Sequence, residues 1–164
     1  MAARNKYDDP DYSGFIPVDT WTEILPGLWQ GGTDDDDIVG RELAEPRITR
    51  DMFDTVVTLH AWSNPVDWHV REIRQAFHDG DVDEFDQEDV SFLASLVLSD
   101  WSAGKRVGVR CLSGLNRSGL IVGLVLIRAG YEPQAAIDLM RSRRSRNVLC
   151  NCAYESWLLQ QSQV

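Results

Sequence analysis

The chain should fold as a single α/β domain, a central and mainly parallel sheet flanked by helices. Three observations predict this. Strand-like segments come first and helical ones dominate the second half, with no internal repeat. The stretch from Val107 to Ile127 reads as a short buried strand, a tight loop and an apolar helix. At 164 residues and 43% apolar content, the chain is sized for one good core.

Residues 1–20 are polar, with Asp8, Asp9, Pro10 and Asp11, and read as a flexible arm ahead of a folded unit over 21–164. Trp21 to Gly32 places two apolar clusters around Pro26-Gly27, the pattern of a hairpin that starts the sheet. Asp34 to Asp37 is a run of four acids. Oxygen cages for cations interleave glycine and other ligands, so the run reads as a solvated loop or helix start. Glu42 to Thr49 is ambiguous and interrupted by Pro46. Phe53 to Leu59 is β-branched and apolar, a central strand. Ile73, Gln75 and Phe77 alternate with Arg74 and Ala76, which predicts another short strand ending at His78-Asp79-Gly80-Asp81.

Asp86 suits an N-cap, with Glu88 and Asp89 in the first turn. Val90, Leu93, Val97 and Trp101 follow at helical spacing until Gly104 and Lys105 close the helix. Pro133 opens a further helix with Ala136, Ile137 and Met140 inward. A last helix, roughly Ala153 to Gln160, packs through Tyr154, Trp157 and Leu158.

The net charge of −10 argues against nonspecific affinity for nucleic acid or anionic membrane. The local exception is Arg141, Arg143, Arg144 and Arg146, which read as a solvated helix end or as charge presented to a phosphorylated partner. No signal peptide is expected, and Gly119 to Ile127 is too short to span a bilayer. Three cysteines, an odd number, suggest no disulfide framework, which predicts a reduced, cytoplasmic protein. His60, His69 and His78 lack metal-ligand spacing.

Cys111 is the residue that carries chemistry. Arg117 follows six positions later, then Ser118, within Arg110-Cys111-Leu112-Ser113-Gly114-Leu115-Asn116-Arg117-Ser118-Gly119. A strand, a six-residue loop and a helix N-terminus ring one point with backbone N–H groups, where an anion can sit. A cysteine at the floor of that ring is favoured as a thiolate, because positive dipole and arginine charge stabilise the anion.

With these residues the chain resembles the cysteine-dependent protein phosphatases, most closely the small dual-specificity group. Beyond the loop, the resemblance rests on Ile24-Leu25-Pro26-Gly27-Leu28-Trp29-Gln30-Gly31 and on Phe53 to Leu59. It continues through Phe77-His78-Asp79-Gly80-Asp81-Val82 and Arg143-Arg144 followed by Leu149, Asn151, Tyr154 and Trp157-Leu158. It implies a phosphotyrosine-phosphatase-like fold, a catalytic domain over 21–164, and two-step phosphoryl transfer through a phosphocysteine. Cys111 would be the nucleophile. The amides of Leu112, Ser113, Gly114, Leu115, Asn116 and Arg117 would bind the phosphate oxygens, Arg117 with its planar fork as well. Ser118 would hydrogen-bond the sulfur, and Asn116 would brace the loop. Asp79, thirty-two residues before Cys111, is the chosen general acid, with Asp81 its rival and Asp83 third. No metal or other cofactor is implied, since loop and arginine already neutralise the phosphate. One position departs from the family: Arg110 stands where histidine is usual, and would either supply charge to the thiolate or point to solvent.

The substrate implied is a phosphorylated protein or peptide, phosphotyrosine first, with phosphoserine and phosphothreonine also open. Two alternatives stand beside it. The Gly114 to Gly119 stretch also resembles the loop of the RNA 5′-phosphatase branch, and the 141–146 arginines keep that reading open. The other is a phosphate-binding module without turnover, supported by Arg110. Phosphoinositides are disfavoured because Leu112 and Leu115 put no lysine in the loop.

Overall fold

A computed structural model describes residues 17, 19–41 and 45–162. Most of the expected arm lies outside these residues. Thr20, at its end, is already tied to the sheet, since the Gly32 amide donates to its carbonyl at 2.9 Å.

Five strands run in the order β1-β2-β5-β3-β4: β1 Trp21–Leu25, β2 Leu28–Gly31, β3 Thr55–Thr58, β4 Arg71–Arg74 and β5 Val107–Arg110. Only β1 and β2 pair antiparallel, through the expected turn at Pro26-Gly27; the other three pairings are parallel. Four α-helices follow, α1 Gln87–Ser102, α2 Arg117–Arg128, α3 Pro133–Arg143 and α4 Cys152–Leu159. Central strands buried on both faces should read as continuous apolar runs, and every residue of β3 and β5 is buried.

Alternation along the strands splits the core. Leu28, Val57, Val107 and Val109 join the larger cluster with Leu120, Ile121, Leu124 and Tyr154 from the helices. Val56 belongs to a smaller one with Ile48, Phe53, Val66 and Val70, with Trp21 and Trp29 packed against it. A side chain at Gly108 would put its Cβ 2.8 Å from the Trp21 ring, so glycine is needed there for the indole to cross the sheet. Asp86 caps α1 through Glu88 and Asp89 N–H, and Pro133 occupies the first turn of α3, as the sequence predicts.

The fourth strand differs from its expected place. It covers Arg71–Arg74 and stops before Phe77, because its sole neighbour β3 ends at Thr58; the Gln75 amide makes the last bond, to the Thr58 carbonyl. It is an edge strand, and its exposed Arg71 and Arg74 blunt that edge. The acidic run also departs from expectation, since Asp37 is buried. No helix among the described residues is long and apolar enough to cross a membrane.

Candidate active site

The loop from Cys111 to Asn116 joins the C-terminal end of β5 to the N-terminus of α2, where parallel α/β sheets gather their ligand-binding loops. All six of its carbonyls are turned outward and held. Thr33 takes the first two, Oγ1 donating to Cys111 O at 2.9 Å and its amide to Leu112 O at 2.8 Å. Arg144 donates to Ser113 O at 3.3 Å and to Gly114 O at 2.7 Å, and Gln30 Nε2 adds a second bond to Gly114 O at 3.1 Å. The Leu149 amide reaches Leu115 O at 3.1 Å, and the Leu120 amide takes Asn116 O within α2. Among the described residues, the amides of Leu112 to Asn116 donate to no carbonyl or side chain. Outward carbonyls leave inward N–H groups, the geometry that receives an anion.

Two backbone positions serve this arrangement. Gly114 has φ +71°, and a Cβ there would lie 2.6 Å from the Gly31 carbonyl carbon, so conformation and space both require glycine. Leu149 is the sole non-glycine residue with positive φ among those described, at 58°. That conformation costs roughly 1–2 kcal/mol, and it sits at the residue whose amide holds the loop.

Cys111 is buried, and its Sγ lies 3.5 Å from Ser118 Oγ, which is also buried. Arg117 anchors one end of its fork, Nη1 donating to Phe77 O at 3.0 Å and Leu59 O at 3.4 Å. Its Nε is buried and, among the described residues, has no hydrogen-bond partner. A buried, unpaired donor of a charged group is costly, and this one belongs to the arginine that follows the Cys111 loop.

Asp79 is tied to the same loop. Asn116 Nδ2 donates to its Oδ2 and Asn151 Nδ2 to its Oδ1, both at 2.9 Å. The Asn151 amide in turn donates to Asn116 Oδ1 at 2.9 Å, so Asn116 braces loop against loop. Tyr154 hydroxyl donates to His78 O at 2.8 Å, and burial, with the Asp79 charge nearby, pushes that phenol up. Asp79 and Arg117 line one cleft of about 340 Å³. Asp81 is exposed and instead caps a short 3-10 turn at Val82–Glu84, accepting from the Val82 amide at 2.6 Å; Asp83 is an exposed member of that turn.

Two expectations need correction. Arg110 neither faces the thiolate nor points to solvent. It is fully buried beneath the sheet end, Nε donating to Thr58 Oγ1 at 3.0 Å while Nη1 pairs with Asp37 at 3.2 Å and Nη2 with Glu72 at 3.3 Å. The reason is the parallel register: Thr58 stands beside Arg110 and two carboxylates converge there. The arginine cluster is likewise divided. Arg144 braces the loop and burial pushes its guanidinium down to about 10, while Arg141 pairs with Glu155 at 2.9 Å; only Arg143 and Arg146 are exposed. Gln30, Thr33 and Arg144 were missed as site residues, because nothing in their local pattern reveals partners across the sheet.

Removing Arg110 should leave two carboxylates facing low dielectric. Arg110→Met is expected to cost about 3–5 kcal/mol in denaturant unfolding. Burial already raises Asp37 despite Arg110, and without that cation it rises further. Between the unfolded and folded titrations the native state then holds an extra proton, so stability falls as pH rises. The deficit of Arg110→Met should therefore shrink as pH drops toward about 5; an equal deficit at all pH values would place the cost elsewhere.

No protein-family model matches the chain. A Dictyostelium discoideum protein named "Probable protein tyrosine phosphatase type IVA B" is 30% identical over 74 residues, 44% of this chain and 45% of that one. The chain thus matches under half the length of that relative. Solved structures align over far more. Human DUSP28 superposes with a TM-score of 0.70 at 20% identity, covering 87% of this chain and 93% of that one. A human tyrosine phosphatase-like serine/threonine/tyrosine-interacting protein gives 0.66 at 16%, over 84% and 92%. The Orf virus tyrosine phosphatase OH1 gives 0.65 at 15%, over 88% and 87%. The chain has the fold of the dual-specificity and tyrosine protein phosphatases.

Proposed function

We propose that the protein is a phosphoric monoester hydrolase acting on phosphotyrosine in proteins or peptides, with phosphoserine and phosphothreonine as further substrates, through a phosphocysteine intermediate. The observation that carries this reading is the orphan Arg117 Nε, on the residue that ends the Cys111 loop, with the carbonyls of that loop all bound to other groups. A phosphoryl oxygen would satisfy that donor and the inward amides together.

In the first step Cys111 attacks phosphorus in line with the leaving oxygen, and the S–P bond forms as the P–O bond breaks. Asp79 supplies the proton to the leaving oxygen. The bonds from Asn116 and Asn151 hold that carboxyl on the wall of the cleft that Arg117 also lines. In the second step water attacks the phosphocysteine, Asp79 accepts its proton, and Ser118 donates to the departing sulfur. Arg117 and the loop amides carry the equatorial oxygens in both steps. The cradle is complete without a metal ion or other cofactor in this scheme.

The RNA 5′-phosphatase reading is not favoured, since two of the four arginines behind it, Arg141 and Arg144, are engaged within the protein. The phosphate-binding module loses its support too, because Arg110 is directed away from the cradle. Hydrolysis of para-nitrophenyl phosphate tests the proposal directly, and an inactive wild-type protein would overturn it. Arg117→Lys keeps the charge and loses the fork. Its kcat should fall at least roughly a hundredfold, the scale of removing a preorganised oxyanion donor; a loss of only a few-fold would mean that Arg117 does not face phosphate.

A further inference from the structure

Trp62 is an exposed indole, 64% accessible, on a backbone that is held at almost every carbonyl. Arg74 donates to the carbonyls of His60 at 3.4 Å, Ala61 at 3.3 Å and Asn64 at 3.3 Å, and Arg110 donates to Asn64 O as well. The Val39 amide takes Trp62 O at 2.7 Å, and an isolated bridge joins Ile38 to Ser63. From this segment a hydrogen-bonded chain runs to the nucleophile: His60 Nδ1 to Ser63 Oγ at 3.2 Å, Ser63 Oγ to Thr33 Oγ1 at 2.7 Å, Thr33 Oγ1 to Cys111 O. Burial pushes His60 down, with Arg117, Arg110 and Arg74 acting in the same sense, so its ring is neutral near pH 7.

A lone exposed tryptophan is ordinary on a protein surface. This one lines the same cleft as Arg117 and Asp79, with Phe77 also on its wall. Phe77 is fixed in turn, its carbonyl accepting from Arg117 Nη1 and its ring packed 5.8 Å from that of Phe85. The cleft therefore has a phosphate arginine at its base, an aromatic wall that is pinned, and an indole at its rim. Fixed backbone with a free aromatic side chain is the arrangement that offers contact area at small entropic cost.

We infer that Trp62 is a specificity-determining residue, stacking on the aromatic ring of a phosphotyrosyl side chain while Arg117 and the Cys111 loop hold its phosphate. This rests on the phosphatase reading and deepens it. A phosphoseryl side chain has no ring to place in the slot, so Trp62 discriminates between the two classes. It acts in binding, not in the chemical step, because ground state and transition state present the same ring.

The test compares wild type, Trp62→Ala and Trp62→Phe on a phosphotyrosyl peptide and its phosphoseryl counterpart, with inorganic phosphate as competitive inhibitor. Aromatic pairs contribute about 0.5–1.5 kcal/mol beyond area, roughly three- to tenfold in affinity. Trp62→Ala should raise KM for the phosphotyrosyl peptide by about that factor, with kcat within about twofold, the signature of lost uniform binding. KM for the phosphoseryl peptide and inhibition by phosphate should stay unchanged. Trp62→Phe should recover most of the loss, since a ring remains. An unchanged phosphotyrosyl KM in Trp62→Ala, or phosphate inhibition weakened by the same factor, would overturn the inference while leaving the phosphatase intact. A wild type that turns over neither peptide would overturn both.

Discussion

Cys111→Ser should abolish turnover while the protein still binds phosphate analogues. A serine hydroxyl at this position is no anion at neutral pH, and it would form a phosphoserine that leaves poorly. Loss of a catalytic nucleophile is felt on the scale of roughly 10⁶-fold in kcat. Binding should survive because the cradle is independent of sulfur: Thr33, Arg144, Gln30 and Leu149 hold the loop by its carbonyls, and Arg117 is anchored on Phe77 and Leu59. Vanadate or tungstate titration of the variant, read calorimetrically, checks that half. Cys150→Ser and Cys152→Ser serve as controls and should remain active. Cys150 reaches the site only as a weak partner of Asn116 Oδ1 at 3.5 Å, and Cys152 is exposed. Turnover retained in Cys111→Ser would sink the mechanism as a whole.

The loop from Cys111 to Asn116, between β5 and α2, was legible in the sequence because its physics is local. Strand, glycine, arginine and helix start are contiguous, and nothing distant is needed to read them. The same holds for the Asp86 cap of α1 and for Pro133 at the start of α3. What supports the loop is long-range and left no local trace. Gln30 meets Gly114 across 84 residues and Thr33 meets Cys111 across 78, each through one side chain of ordinary composition. Arg144 looked like any cation at a helix end; only packing shows that it is half-buried against Gly114, bonded to its carbonyl. Arg110 was misread for a related reason. Adjacency to Cys111 suggested an electrostatic role at the sulfur, but successive strand residues point to opposite faces. Of its partners, Asp37 sat in a run read as a solvated loop or helix start, and Glu72 lies just ahead of the segment read as a strand from Ile73. The end of β4 was misplaced because alternation continues past Arg74 while the pairing partner does not.

Asp79→Asn should lower kcat on a phosphotyrosyl peptide by about 10²–10⁴-fold, the contribution of general acid catalysis. The substitution has a second consequence here. The carboxylate accepts from two amide groups, Asn116 Nδ2 and Asn151 Nδ2. An amide at position 79 has one acceptor oxygen, so one of those donors would face an NH₂ group and the loop would loosen. Loop displacement and proton loss must therefore be separated. A displaced loop penalises every substrate alike, whereas a missing acid penalises substrates in proportion to leaving-group basicity. An aryl phosphate with a strongly acidic phenol needs little protonation and should lose least; phosphotyrosine and phosphoserine should lose progressively more. Asp81→Asn should show neither behaviour, because Asp81 is exposed and spends its carboxylate on the Val82 amide. A uniform loss across leaving groups in Asp79→Asn would reduce Asp79 to a brace for the loop. Leaving-group dependence appearing in Asp81→Asn instead would move the acid two residues along the same loop.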